Sequence, residues 1–344
     1  MDQARRTLVT ALGAALATCH GKVNQATPNG GIDLERLTRG FPALAARALP
    51  GIFNLGVLSM RDDLVWCADN DRRFPLQSVF MAPLAAAALA EVDAGRLTLS
   101  ERIHMTELDL SPPPSAINQA WPTPPNKHAM DIPAVDLIAL AVQKGDTTAA
   151  DVIMNRIGGP GAVTAWLREK NISDMRIDRY ERELGADIAG MESFRPAWKD
   201  EAAFLAARDT VPAPAREGAM NAFLADPRDT TTAPAALNFL DKLAGGELIS
   251  PASTSLLMRL MTATTAGLDR LKAGLPHGAT LAHKTGASST DLGFTAAVGD
   301  IGIVTLAGGH RVAIAAFLAG STATQAQRDA LFADSARLVV AAFH

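Results

Sequence analysis

Arg73-Phe74-Pro75-Leu76-Gln77-Ser78-Val79-Phe80-Met81 runs from a charged turn into an apolar helix, and its one hydroxyl stands where the helix begins. Downstream, Phe80, Leu84, Ala85, Ala88, Leu89 and Val92 share a helical face, and Gly95 ends the run. A serine in this place has backbone N–H groups and the positive end of the helix dipole beside it. That environment favours an oxygen that gains negative charge during acyl transfer. Serine is equally an ordinary helix N-cap, so Ser78 alone decides nothing.

Two β-prone runs precede this helix, residues 51–60 and 64–68, joined by Arg61-Asp62-Asp63 as a hairpin. Before them, residues 34–49 place Leu34, Leu37, Phe41, Leu44 and Ala48 at helical spacing, with a kink at Pro42 and a stop at Pro50-Gly51. After the Ser78 helix, residues 111–125 hold many prolines and read as a loop. Helices over 132–142 and 148–157 then flank Lys144-Gly145-Asp146. Gly158-Gly159-Pro160 ends one helix and opens the next, and another begins near Thr232 with Leu237, Leu240 and Leu243. The last third changes period. Residues 279–284, 293–298, 301–306 and 311–318 are apolar or alternating, with Asp300 and Gly308-Gly309 as turns, and a final helix spans 325–343. Strands at both chain ends can pair into one antiparallel sheet while the middle folds as helices. The expected division is an α/β domain from residues 33–77 and 270–344, and a helical domain over 78–269.

The 344 residues are 48% hydrophobic and 20% charged, with a net charge of -4. That length supports a large core, and no clustered basic surface points to nucleic acid. Residues 1–19 read as an export signal, with Arg5 and Arg6 before an apolar run in a pattern that resembles a twin-arginine signal. Leu16-Ala17-Thr18-Cys19 resembles a lipobox in which Cys19 would carry a lipid anchor. Cleavage after Ala17 to give a soluble periplasmic product is the plainer reading. Residues 20–32 read as a linker. With only Cys19 and Cys67 no disulfide framework is expected, and the seven histidines show no metal-binding spacing. No cofactor or metal is implied, no later segment offers a membrane span, and the chain is expected to be a monomer.

Lys284-Thr285-Gly286 follows an apolar run on a strand near the C terminus. A lysine there offers fixed positive charge to a substrate carboxylate, and the glycine lets a ligand lie close to the strand edge. Between the serine and this motif lies Arg176-Ile177-Asp178-Arg179-Tyr180-Glu181-Arg182-Glu183-Leu184, which alone reads as a solvated, ion-paired loop. The order is what matters. A serine at a helix start, a polar turn between helices, a glutamate-bearing loop and K-T-G on a strand together resemble the class A serine β-lactamases. That family, like the penicillin-binding proteins, carries S-x-x-K, S-D-N and K-T-G. The resemblance extends to Thr148-Ala149-Ala150, to Ile157-Gly158-Gly159-Pro160, to an omega loop at Asp178–Leu184 and to Asp226-Pro227-Arg228-Asp229-Thr230-Thr231-Thr232. Gln77-Ser78-Val79-Phe80, Leu281-Ala282-His283-Lys284-Thr285-Gly286 and Asp300-Ile301-Gly302-Ile303 are most similar to the extended-spectrum branch.

The resemblance implies a β-lactamase/transpeptidase-like fold, α/β plus all-α, with an antiparallel five-stranded sheet, flanking helices and a helical domain. It implies Ser78 as the acylated nucleophile and Glu181 as the director of the deacylating water, with Glu183 a nearby alternative. Lys284, Thr285 and Gly286 would bind the substrate carboxylate, and the N–H groups of Ser78 and Ala287 would form the oxyanion hole. The chain departs from the pattern at three places, four residues in all. Met81 replaces the lysine that activates the serine, and a thioether takes no proton. Gly145-Asp146-Thr147 replaces S-D-N, so the serine hydroxyl is missing, while Asp146 is read as holding the turn. Gly185 replaces an asparagine, and the extended omega-loop region 176–226 is longer than the family usually carries. Lys144 is a candidate substitute ammonium, and Lys127 and His128 are candidates to line the cleft.

Two functions follow. One is an exported serine hydrolase acting on β-lactams or another carboxylate-bearing amide or ester, with impaired or altered activity. The other is a non-catalytic binding protein that keeps the carboxylate-binding strand. A cell-wall peptide enzyme is a third, against which Glu181 argues.

Overall fold

The computed structural model describes residues 31–122 and 129–343. The expected signal segment, Cys19, almost all of the linker, Lys127 and His128 lie outside the described residues. Helix α1 (Leu34–Ala48) starts at Asp33, whose carboxylate accepts the Arg36 backbone N–H at 2.9 Å. Pro42 sits inside it without ending it. The hairpin β1 (Ile52–Ser59) and β2 (Leu64–Cys67) follows as its sequence predicts.

Three C-terminal strands complete the sheet: β3 (Thr280–Ala287), β4 (Phe294–Thr305) and β5 (Arg311–Ser321). Their order is β2-β1-β5-β4-β3, every pairing antiparallel, with the short strand Thr290–Asp291 added against β4. Chain ends thus meet in one sheet, β1 beside β5 in a register that sets Ile52 opposite Ala319 and Ser59 opposite Val312. Strand β5 is apolar on both faces because both are covered. Ala313, Ala315 and Phe317 join the core of the helical side, while Val312, Ile314, Ala316 and Leu318 pack with α1 and the C-terminal helix Gln325–Ala341.

On the helical side α2 (Met81–Asp93) is buried from Met81 through Leu89, as befits a helix that is apolar all round. It runs through the middle of the larger core and carries Ser78 at its entrance. Around it pack α3 (Thr147–Arg156) and the helices Pro160–Glu169 and Pro251–Thr262, while the helix Ala233–Ala244 lies against the sheet on β1, β4 and β5.

Four sequence expectations change. Asp300 is no turn: β4 runs unbroken through it, and its carboxylate is fully buried, 2.9 Å from His283 Nδ1 and accepting from Leu271 N at 3.3 Å. A charged residue inside a strand mimics a break when its partners are far away in sequence. The helix expected over 132–142 begins only at Ala134, because Ala129–Pro133 forms a strand against Arg102–Thr106. It then widens into a π turn over Leu140–Lys144. The proline-rich stretch from 111 contains a helix, Ala116–Ala120, capped by the Ser115 side chain.

The fourth change concerns residues 176–226, which are mostly helical rather than an extended loop. They form α4 (Glu181–Ile188), a short turn at Pro196–Trp198, α5 (Glu201–Arg208) and α6 (Ala213–Ala225). Their two ends are stapled. The buried Arg179 reaches Asp229 at 2.6 Å, Asp187 at 2.6 Å and Asp226 at 3.3 Å. A long excursion between fixed ends adds little closure entropy, so the sheet and core below need not change to accommodate it.

Candidate active site

Ser78 lies in a single 3-10 turn, Gln77–Phe80, ahead of α2. Gln77 holds φ at +46°, a left-handed conformation that costs a side-chain-bearing residue about 1–2 kcal/mol. Strain of this kind persists where the surroundings fix it. Here β3 does so. A Cβ on Gly286 would stand 2.8 Å from Val79 N and 2.9 Å from Ser78 N, so glycine alone lets the strand press against the turn. Ala287, next on the strand, is exposed and lines the same cleft as Ser78.

Glu181 enters from the opposite side, at the first turn of α4. Asp151, buried within α3, accepts from Glu181 N at 2.6 Å, Arg182 N at 3.0 Å and Ser111 Oγ at 2.6 Å. Those bonds fix where the Glu181 side chain starts. Its Oε1 accepts from Ser78 Oγ at 3.4 Å. Burial, and then the Asp151 charge, push the Glu181 carboxyl up to about 8, while the Lys284 ammonium acts in the opposite sense. Burial also pulls the Lys284 ammonium down to about 8, resisted first by Glu181 and then by Asp300. Lys284 Nζ donates to its neighbour's carbonyl, Thr285 O, at 2.7 Å.

Ser78 and Glu181 therefore share one cleft, with the Lys284 ammonium within electrostatic reach of Glu181. Lys284 sits just behind it, at Gly145: a Cβ on Gly145 would stand 3.7 Å from Nζ. Gly145 itself has φ of +67° at the end of the π turn, where a side chain is disfavoured. Asp146 caps α3, accepting from Ala149 N at 2.9 Å, Ser115 Oγ at 2.8 Å and Ile117 N at 3.0 Å. The Thr147 hydroxyl donates to Pro112 O. Met81 is fully buried in the apolar core around α2 and adds neither charge nor proton acceptor. At Gly185 a Cβ would come 2.9 Å from Pro112 Cγ, so the proline-rich loop occupies the space of the missing side chain.

The other candidates are engaged elsewhere. Lys144 is exposed and its Nζ donates to Thr265 Oγ1 at 3.2 Å. Glu183 accepts from Tyr180 N at 2.9 Å as the reciprocal cap of α4. Sequence reasoning passed over Asp151 and Gln77. The signal for Asp151 was a lone acid in the apolar run Thr148-Ala149-Ala150-Asp151-Val152-Ile153, since carboxylates are seldom buried without a task. Gln77 offered no comparable signal, because positive φ is not written in a glutamine.

Arg270, also unremarked in the sequence, braces the strand wall. It donates to Gly286 O at 3.2 Å and Gly299 O at 3.3 Å, and pairs with Asp329 at 3.0 Å. The arrangement can deliver an activated serine oxygen to a carbonyl and hold an anionic substrate by a buried cation.

Comparison with known proteins agrees. The beta-lactamase enzyme family matches residues 41–343. Beta-lactamase VEB-1 of Pseudomonas aeruginosa is 28% identical over 271 residues, 78% of each chain. The extended-spectrum beta-lactamase PER-1 of the same organism is 26% identical over 268 residues, 77% of this chain and 74% of its own. Among solved structures, a beta-lactamase from Chitinophaga pinensis superposes with a TM-score of 0.72 at 28% identity, over 88% of this chain and 97% of that one. An ancestral class A beta-lactamase gives 0.71 at 30% identity, over 89% of this chain and all of its own. Sequence, fold and the placing of serine, glutamate and lysine lead to one family: this chain belongs to the beta-lactamase enzyme family and has the class A fold, in a divergent form with Met81 and Gly145 at two motif positions.

Proposed function

We propose that the protein is an exported, periplasmic serine hydrolase of the class A type that opens β-lactam amides through an acyl-enzyme on Ser78, with Glu181 as its general base in both half-reactions. The observation that carries this reading is the direct hydrogen bond from Ser78 Oγ to Glu181 Oε1. With Met81 unable to accept a proton, Glu181 is the base in contact with the nucleophile. As Oγ attacks the carbonyl carbon, its proton passes to Glu181, and the Ser78 and Ala287 N–H groups stabilise the oxyanion. The C–N bond then breaks, and the nitrogen takes the proton back from Glu181. A water hydrolyses the ester in turn, giving its proton to Glu181 as Ser78 is released. Lys284 and Thr285 hold the substrate carboxylate throughout.

At pH 7 only about a tenth of the molecules carry ionised Glu181, given a carboxyl at about 8. The loss of the lysine and of the S-D-N hydroxyl adds a further cost, each acid–base group being worth about 10²–10⁴ in rate. The expected result is slow, alkaline-favoured hydrolysis. Met81 and Gly145 also support a second reading, a binding protein that uses the strand wall without turnover.

Incubating the protein with a chromogenic cephalosporin and with a penicillin, and following both turnover and intact mass, tests the proposal. Turnover that disappears in Ser78→Ala supports it. A lasting adduct on Ser78 without turnover means acylation stalls, and neither adduct nor turnover favours the binding protein.

A further inference from the structure

Asp300 is a charge that the cleft chemistry leaves unexplained. It stands mid-strand in β4 with 0% of its surface exposed, where an unpaired carboxylate is costly. The register sets it opposite Thr285 of β3. Strand alternation then puts Asp300, Thr285 and His283 on one face, while Lys284 leaves by the other. One Asp300 oxygen lies 2.9 Å from His283 Nδ1, and the other accepts from Leu271 N at 3.3 Å. His283 is itself buried, and its carbonyl accepts from Thr264 Oγ1 at 3.1 Å. The backbone just before Lys284 is thus tied from behind the sheet. Just after it, Arg270 donates to Gly286 O at 3.2 Å and is balanced by Asp329 of the C-terminal helix.

Lys284 depends on charges for its support. Among the described residues its buried Nζ makes one hydrogen bond, to Thr285 O. A buried ammonium with a single acceptor needs nearby anions to offset its lost hydration. Glu181 of α4 and then Asp300 of β4 favour its charged form, and Arg270, one residue before Leu271, opposes them. Lys144, on the π turn next to Gly145, is turned to Thr265. Glu181 is the stronger of the two anions, yet it is also the one that takes up a proton when Ser78 attacks. Asp300, sealed behind the strand, takes no part in that transfer.

We propose that Asp300 is a positioning residue for the strand wall: it is the permanent counter-charge that keeps the Lys284 ammonium charged and in place while Glu181 is neutral, with His283 fixing its carboxylate. The two anions differ in duty, one cycling with the chemistry and one constant through it. This rests on the reading of Glu181 as the base.

The titration of Lys284 tests it on the full chain, without substrate. Carbon-13 NMR of protein labelled at lysine Cε reads the midpoint, and loss of one signal in Lys284→Arg assigns it. Asp300→Asn keeps the size of the side chain and an acceptor for Leu271 N, and should lower the Lys284 midpoint by about one pH unit or more. His283→Leu strips the carboxylate of its side-chain partner, so burial favours the neutral acid and Lys284 should shift in the same direction. Glu181→Gln and Asp300→Asn combined should lower the midpoint further than either alone. With a chromogenic cephalosporin, the basic limb of kcat/KM should move down with the NMR midpoint in Asp300→Asn, and the loss at pH 8 should fall on KM more than on kcat. A purely structural role would lower stability or kcat at every pH and leave the Lys284 midpoint in place. A midpoint unmoved in whichever of the two variants folds therefore overturns the proposal, while the role of Glu181 stands. Absence of both turnover and a Ser78 adduct in the natural protein overturns that role instead, and with it the need for a constant partner.

Discussion

The two walls of the cleft have fared differently. On the strand side, Lys284-Thr285-Gly286 keeps its motif, its buried ammonium and its close fit to the serine turn. On the helix side, the two positions that would move protons are Met81 and Gly145, a fully buried thioether and a residue without a side chain. The two walls are thus separable, since one keeps the family's charged motif while the other lacks both side chains that would move protons. What remains on the helix side is Glu181, positioned by Asp151.

The sharpest way to break this contrast is to restore the helix wall. Met81→Lys with Gly145→Ser should raise kcat/KM on a chromogenic cephalosporin by about 10² or more, at a cost in stability for burying a charge. No gain would mean that α5 and α6, whose Phe204, Leu205 and Met220 line the cleft, limit the reaction rather than proton transfer. Attacking the strand wall should act on binding. Lys284→Ala is expected to raise KM for a carboxylate-bearing substrate about 10–100-fold, with a smaller change in kcat, as for a lost charged hydrogen bond.

The pH dependence of kcat/KM sharpens the comparison further. Glu181 must be ionised and Lys284 protonated, and both are placed near 8, so the profile should be a narrow bell centred there. Asp151→Asn removes a charge that pushes Glu181 up and should move the acidic limb to lower pH, readable in steady-state kinetics. A profile centred below pH 6 in the unmodified protein would contradict the assignment of Glu181 as base.

The smallest effect is on stability. The Glu181 carboxyl lies above its ordinary 4.5 in the folded chain, so between that value and about 8 the folded state holds the extra proton. Stability then falls as pH rises across this window, by a few kcal/mol at most. Lys284 lies below its ordinary 10.5, so stability recovers above about 8 as the unfolded chain alone keeps its proton. Denaturant melts from pH 5 to 8 should slope downward for the natural protein and flatten in Glu181→Gln.

The sheet and its helices were legible because their apolar residues keep period and place, from Leu34 to Ala48 and from Arg311 to Ser321. Motif order singled out Ser78, Glu181 and Lys284, and the fold brings them near one another, with Ser78 Oγ bonded to Glu181 Oε1. The failures share a cause. Asp300 and Asp151 are charges whose partners lie far along the chain, His283 and Ser111 among them, so local reading takes the first for a turn and passes over the second. The strand at Ala129–Pro133 owes its form to Arg102–Thr106 and not to its own composition. The helices of 181–225 were read as loop because prolines and charges punctuate them, although Pro214 simply occupies a first helical turn.

The staple at Arg179 has a consequence beyond holding a segment closed. Because the chain leaves and returns at one ion-paired clip, the span between Asp187 and Asp226 is closed at its base. Its Phe223 packs on Ala296 and Ala297 of β4, and its Arg208 and Arg216 reach Asp291 beside that strand, so a change within it is felt by the sheet that also holds Lys284. The clip thus closes the segment without isolating it, and the packing of Phe223 links its helices to the strand wall beside Ser78.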